Sequence, residues 1–123
     1  MSTQKTPTPT EINLHSKSHE LEIAFDDDSH FYFSSEFLRV HSPSAEVRGH
    51  APGEETLQVG KENVNIKNLE PVGNYAIKIE FTDGHDSGIF SWDLFYDYGK
   101  NQEKMWQDYL QKLKEAGHER KLN

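Results

Sequence analysis

Cysteine is absent from the 123 residues. That excludes disulfides, thiolate zinc sites, cysteine nucleophiles and iron–sulfur ligation by this chain alone. Apolar residues are scarce too, at 33% of the chain, with a mean hydropathy of -0.87. No run of them approaches a membrane span, and no apolar stretch near the start reads as a signal peptide, so the expected setting is the cytoplasm. Positive charge is short as well: 13 Lys and Arg stand against 21 Asp and Glu, for a net charge of -8. Neutralising phosphates or docking on anionic lipid needs the opposite balance, so neither nucleic acid nor membrane is an expected partner. An acidic surface of this kind keeps a small protein soluble.

What apolar content there is lies away from the ends. Residues 1–19 are rich in Ser, Thr, Pro and Lys, with only Ile12 and Leu14 as sizeable apolar residues after the initiator. They are expected to be a flexible tail, because they bury too little to offset ordering entropy. Residues 118–123 are expected to fray for the same reason. That leaves residues 20–117 as a single domain.

Within it, Leu21, Ile23 and Phe25 alternate with polar or small residues, as a half-buried strand requires, and "HFYF" makes a second, aromatic strand. Ser34 or Ser35 can cap a helical turn holding Phe37, Leu38 and Val40, which Pro43 ends. Residues 44–47 suit another short turn. Leu57 with Val59, and Val64 with Ile66, suggest two strands joined by a turn at Gly60, and "LEPVGNY" reads as a turn. The clearest strand follows, with Tyr75, Ile77, Ile79 and Phe81 on one face. After the Asp83-Gly84 turn, Ile89 and Phe90 resume extended structure. Ser91 caps a short helix over 92–98 that Gly99 stops, and Asn101 caps a second over 102–116, with Trp106, Leu110 and Leu113 on its apolar stripe. The links are short, so the sheet should be mainly antiparallel. The class is α+β: a β core, short helices and a C-terminal amphipathic helix.

Seven histidines in an acidic chain raise the question of a metal. His41, His50 and His85, with Asp83, Asp86 or Glu46, supply the imidazole and carboxylate donors that zinc or iron(II) accepts. The spacing is irregular, however, and no HxH, HxxxH or HExxH pair occurs, so ordinary loop histidines are the plainer reading. Ser87, His85 and Asp83 could suggest a hydrolase triad, but triads assemble across a fold rather than within one turn. There is no GxSxG elbow and no phosphate-binding GxxxxGK[ST] loop. Arg39 and Arg48 can meet an acidic partner or pair within the chain. The aromatic segment 92–98 could cradle a small ligand, though its rings suit a core better.

Several stretches resemble a known family. "LEIAF", "EFLRVHSPSAEVRGH" and "LEPVGNYAIKIEFTDGHDSGIFSWDLFYDYG" are similar to the small domain related to the N-terminal domain of gamma-butyrobetaine hydroxylase, over residues 21–99. The resemblance implies a compact domain with a β core. In eukaryotic hydroxylases it precedes a catalytic iron/2-oxoglutarate domain. Elsewhere it stands alone or is fused to P-loop carriers of iron–sulfur clusters. In the hydroxylases it holds zinc through three cysteines and a histidine, and those positions fall here on Ser42, Ser44, Val47 and His85. Serine is a poor zinc ligand and valine is none, so the zinc is expected to be absent and no cofactor is expected. His85 is then expected to bond to the 42–47 segment instead. The double-stranded β-helix of the hydroxylases has no counterpart in these residues, so no catalytic residue is assigned.

Two functional readings follow. One is a non-catalytic accessory or interaction domain with an iron or iron–sulfur link. Its partner would be another protein, such as a P-loop iron–sulfur carrier, met through Arg39, Arg48, His85 and Trp92. The other is a metal-binding protein or metal-dependent enzyme using His41, His50, His85, Asp83 and Asp86.

Overall fold

The computed structural model describes residues 6–49, 51 and 53–122. Two three-stranded antiparallel sheets carry the core. The first contains β1 (Pro9–His15), β2 (Glu20–Phe25) and β3 (His30–Ser34), in that order. The second contains β4 (Ile66–Val72), β5 (Ala76–Phe81) and β6 (Ile89–Ser91). Between them in the chain lie two short helices, α1 (Ser35–Val40) and α2 (Ala45–Arg48), and a long irregular link; α3 (Trp92–Glu115) closes the fold. The class is α+β, as the alternation of short strands and the apolar C-terminal stripe require. Among the described residues, no helix is long and apolar enough to cross a membrane.

The alternation in the sequence maps directly onto burial. Leu21, Ile23 and Phe25 from β2 and Ile77, Ile79 and Phe81 from β5 are all buried. Phe95 joins the two sheets, its ring stacked 5.4 Å from Phe90 and tilted at 5.7 Å from Phe33. Aromatic pairs at these separations add to the area they bury.

The terminal residues depart from expectation. Residues 9–15 are a strand, not a tail: β1 pairs with β2 along its length, and Ile12 packs on the core. An edge strand needs little apolar area of its own, because its neighbour supplies the backbone partners. The turn that follows is clamped, with Asn65 donating to the Ser16 carbonyl at 3.0 Å and the Ser35 amide to that of His19 at 2.8 Å. At the other end, residues expected to fray are anchored. Arg120 donates to buried Glu36 at 2.8 Å and lies over the Trp106 ring, and the Lys121 amide donates to Glu62 at 2.6 Å.

Three interior expectations also change. The two helices are one, because Gly99 continues the helix. A Cβ there would lie 2.5 Å from the Phe31 ring, so glycine lets that ring rest on the helix backbone. "LEPV" is strand rather than turn: Pro71 sits on the edge strand β4, opposite Ile77, where a missing N–H is tolerated. The reversal comes only at Gly73, with φ of 54°. Residues 57–59 form no strand. Their backbone is held by side chains, Tyr109 donating its hydroxyl to the Gln58 carbonyl at 2.7 Å.

Candidate functional site: a buried serine–histidine crosslink and the cleft beside it

Ser34 and Ser44 accept backbone N–H bonds at the starts of α1 and α2, so the linking segment "HSPS" is fixed at both ends. Against it comes the turn between β5 and β6. Gly88 lets its backbone lie against the Ser42 side chain, since a Cβ there would stand 2.3 Å from the Ser42 hydroxyl oxygen. His85 consequently reaches Ser42, its Nε2 lying 2.9 Å from Oγ. Its Nδ1 lies 3.2 Å from a Glu46 carboxylate oxygen. A carboxylate only accepts, so Nδ1 carries the proton and Nε2 accepts from the Ser42 hydroxyl. Ser42 Oγ also accepts the Ser44 amide at 3.3 Å, and the Ser44 and Ser87 hydroxyls are 2.7 Å apart. Two segments about forty residues apart are thus joined by three side-chain contacts.

Asp83 extends the network. It takes Arg39 at 2.9 Å and Lys61 at 2.8 Å on one oxygen, and the His85 amide at 3.2 Å on the other. Burial opposes its ionisation, but the hydrogen bonds from Lys61 and Arg39 prevail and hold its carboxyl at about 2. The His85 imidazole is pushed below its ordinary value, first by burial and then by the nearby Arg39 charge. It is therefore a neutral group inside the protein.

The order Glu46–His85–Ser42 is that of a hydrolase triad, and not the Asp83–His85–Ser87 set the turn suggested. A nucleophile must reach a carbonyl carbon, and here it cannot. Ser42 is 0% exposed and Gly88 covers its hydroxyl. Nor do these residues fit zinc: Val47 offers no donor, and Ser42, Ser44 and His85 are bonded to protein partners. Among the described residues, no group of three His, Asp or Glu side chains is placed to hold a metal ion.

The other candidates separate. His50 lies outside the described residues. His41 turns away from His85: its Nδ1 donates to the Phe37 carbonyl at 2.9 Å, and its ring packs on Phe37, 4.4 Å between centroids. Asp86 is exposed and belongs to no group of three ligands among the described residues. Two residues expected on an interaction surface are inside instead, Arg39 at 6% and His85 at 7% exposure, because each closes a polar network in the core. Trp92 is half-buried and donates to the Asn74 carbonyl at 3.0 Å. Phe95 and Tyr98 of the aromatic segment are core residues. Arg48 is exposed and reaches the Tyr98 hydroxyl at 2.9 Å, which in turn donates to the His41 carbonyl at 2.7 Å.

His41, Arg48 and Tyr98 line a cleft of about 720 Å³ between the α1–α2 region and α3. Its far wall includes Tyr109, Lys112 and Met105. Sequence reasoning missed this cleft, because its residues come from three separated segments. It also missed a cluster on the first sheet, where His15 at 2.7 Å, His30, and Tyr32 at 3.2 Å all bond to Glu22 and tie three strands together. That cluster was hidden because its members meet only through strand register.

The fold and the buried crosslink define a small α+β domain built on two antiparallel sheets. Its sequence matches the family described as gamma-butyrobetaine hydroxylase-like, N-terminal, over residues 12–96, and the chain belongs to that family. Two solution NMR structures are similar to it. One is 44% identical with a TM-score of 0.82, covering 97% of this chain and 94% of that one. The other is 49% identical with a TM-score of 0.80, covering 98% and 90%. A crystal structure of a protein of unknown function in the DUF971 family, from Acidithiobacillus ferrooxidans, is 30% identical with a TM-score of 0.64, covering 77% and 96%. No curated protein matches the sequence.

Proposed function

We propose that this chain is a non-catalytic accessory domain that works by docking on another protein in the cytoplasm. The observation that carries the reading is the buried Ser42–His85 bond, with exposed Glu46 holding the outer ring nitrogen. The groups with the chemistry for catalysis or metal binding are spent on holding two segments of the fold together. What remains for a partner is surface. Tyr75, in the turn before β5, is 57% exposed and Ile89, on β6, is 46% exposed, and Trp92 donates its amide to the Tyr75 carbonyl at 3.1 Å. Exposed aromatic and aliphatic side chains of this size are typical interface anchors. The family resemblance points to iron metabolism and to a P-loop iron–sulfur carrier as the partner.

The test is an anaerobic affinity capture with the purified chain as bait, beside a Tyr75→Asp/Ile89→Asp variant. The expected result is enrichment of a P-loop iron–sulfur carrier that the variant loses, confirmed by binding of the two purified proteins. Failure of the purified pair to associate, or equal capture by the variant, would overturn the reading.

A further inference from the structure

After α3 the chain turns back. Gly117, with φ of 77°, ends the helix in the left-handed form, and the His118 amide donates to the Leu113 carbonyl at 2.9 Å. Beyond that point no backbone–backbone hydrogen bond holds residues 119–122 among the described residues. Leu122, the large apolar side chain of the segment, is 68% exposed. A recess of about 360 Å³, lined by Leu110, Leu113 and His118, lies between the segment and α3. The segment therefore does not pack as an element of the core.

It is held at two residues, in the way a docked peptide is held. Arg120 places a fork of two donors on the two oxygens of Glu36, at 2.8 and 2.5 Å, and its guanidinium lies 5.2 Å over the Trp106 ring. Lys121 is gripped by its backbone. Its amide donates to Glu62 at 2.6 Å, and its carbonyl accepts from the Asn63 side chain at 2.8 Å. The receiving groups come from α1, from the turn before β4 and from α3. Glu36 is only 6% exposed, and Arg120 is its ion-pair partner. A carboxylate buried so deeply needs a hydrogen-bonded counter-charge. The planar fork, with an indole beneath it, favours guanidinium over ammonium. The side chains of Glu119, Lys121 and Leu122 are exposed, so the groove reads one arginine and the peptide unit after it.

From this arrangement we infer that Glu36, Glu62, Asn63 and Trp106 form a docking site for an extended, arginine-bearing segment of a partner protein, which residues 118–122 occupy in cis as a displaceable stand-in. The partner's arginine takes the place of Arg120 on Glu36, and its next peptide unit takes the place of that of Lys121. The net charge of -8 favours a basic segment of this kind. The site shares no residue with the Tyr75 and Ile89 surface and does not rest on that reading.

The experiment is a peptide titration of the whole Arg120→Ala chain, followed by two-dimensional NMR of its amides and tryptophan indoles. The probes, blocked at both ends, are HERKLN (the chain's own residues 118–123), HEAKLN, HEKKLN and the unrelated AARAAA. HERKLN is expected to shift the Trp106 indole and the Glu62 and Asn63 amides saturably, with a Kd of about 1 mM or tighter. AARAAA should match it within about threefold, while HEAKLN and HEKKLN should bind about tenfold more weakly. The unsubstituted chain should also bind HERKLN about tenfold more weakly, because its own Arg120 competes at the high effective concentration of a tethered segment. Arg120→Ala/Glu36→Gln should lose the response. Equal binding of HEAKLN, equal affinity in the unsubstituted chain, failure of AARAAA, or no saturable shift by HERKLN would each overturn the assignment. An Arg120→Ala chain that does not fold would overturn it too, since residues 118–122 would then be a fixed part of the core.

Discussion

Two histidines stand on either side of Ser42, one its neighbour in the chain and the other its hydrogen-bond partner. Both rings are held below their ordinary pKa by burial. They differ in what their nitrogens do. His85 has both committed, to Ser42 and Glu46. His41 commits one and leaves the other open to a cleft. The same contrast holds for the arginines nearby, since Arg39 is buried against Asp83 while Arg48 is exposed with no carboxylate partner among the described residues. The difference teaches that residue type does not separate structure from function in this protein. Satisfaction does: the closed half should govern stability, and the open half should be nearly neutral to it.

The sharpest way to break that contrast is Gly88→Ala. The new methyl would occupy the space of the Ser42 hydroxyl, and overpacking of this kind costs about 3 kcal/mol at its upper range. Chemical denaturation reads it, and a negligible loss would mean that Gly88 is not packed on the Ser42 hydroxyl. His85→Ala comes next, at about 2 kcal/mol, because it leaves a buried hydroxyl without its partner. Ser42→Ala in the same background should then add little, and full additivity would contradict a direct bond.

Acid should act on the closed half as well. The Asp83 carboxyl sits at about 2 when folded and near 4 when unfolded. Its stabilisation, on the order of 2 kcal/mol, is thus present above pH of about 4 and is lost as pH falls toward about 2. His85, depressed by burial, begins to oppose folding at milder acidity. The unfolded chain takes up its proton below about pH 6.5 while the folded chain resists. Stability measured in Asp83→Asn should be flatter between those acid limits, and an unchanged slope would remove Asp83 from the account. The smallest effect belongs to the open half: Arg48→Gln should change stability by under about 0.5 kcal/mol. A large loss there would erase the distinction.

Much of the closed half was legible in the sequence. The alternation in residues 21–25 and 77–81 placed the core strands, although Tyr75 fell outside β5 in an exposed turn, and the family resemblance placed His85 against residues 42–47. Glu46 as the third member was not legible as a hydrogen-bond partner, because α2 had to turn its side chain toward the ring. The edge strand β1 was hidden by its polar composition, since its stability comes from backbone pairing rather than burial. Gly99 read as a stop because propensity favours that, and only the Phe31 ring reveals why the helix continues. The open cleft left no local signature at all: His41, Arg48 and Lys112 meet through packing of α3 across the first two helices.

The central claim is that a hydrogen bond between Ser42 and His85 ties the 42–47 segment to the turn between β5 and β6. The imidazole nitrogen NMR spectrum of His85 tests it most directly. The account predicts a neutral ring with its proton on Nδ1, an Nε2 signal displaced by the Ser42 hydroxyl, loss of that displacement in Ser42→Ala, and no response to equimolar zinc or to a chelator. A proton on Nε2, or a zinc-dependent shift of either nitrogen, would contradict it.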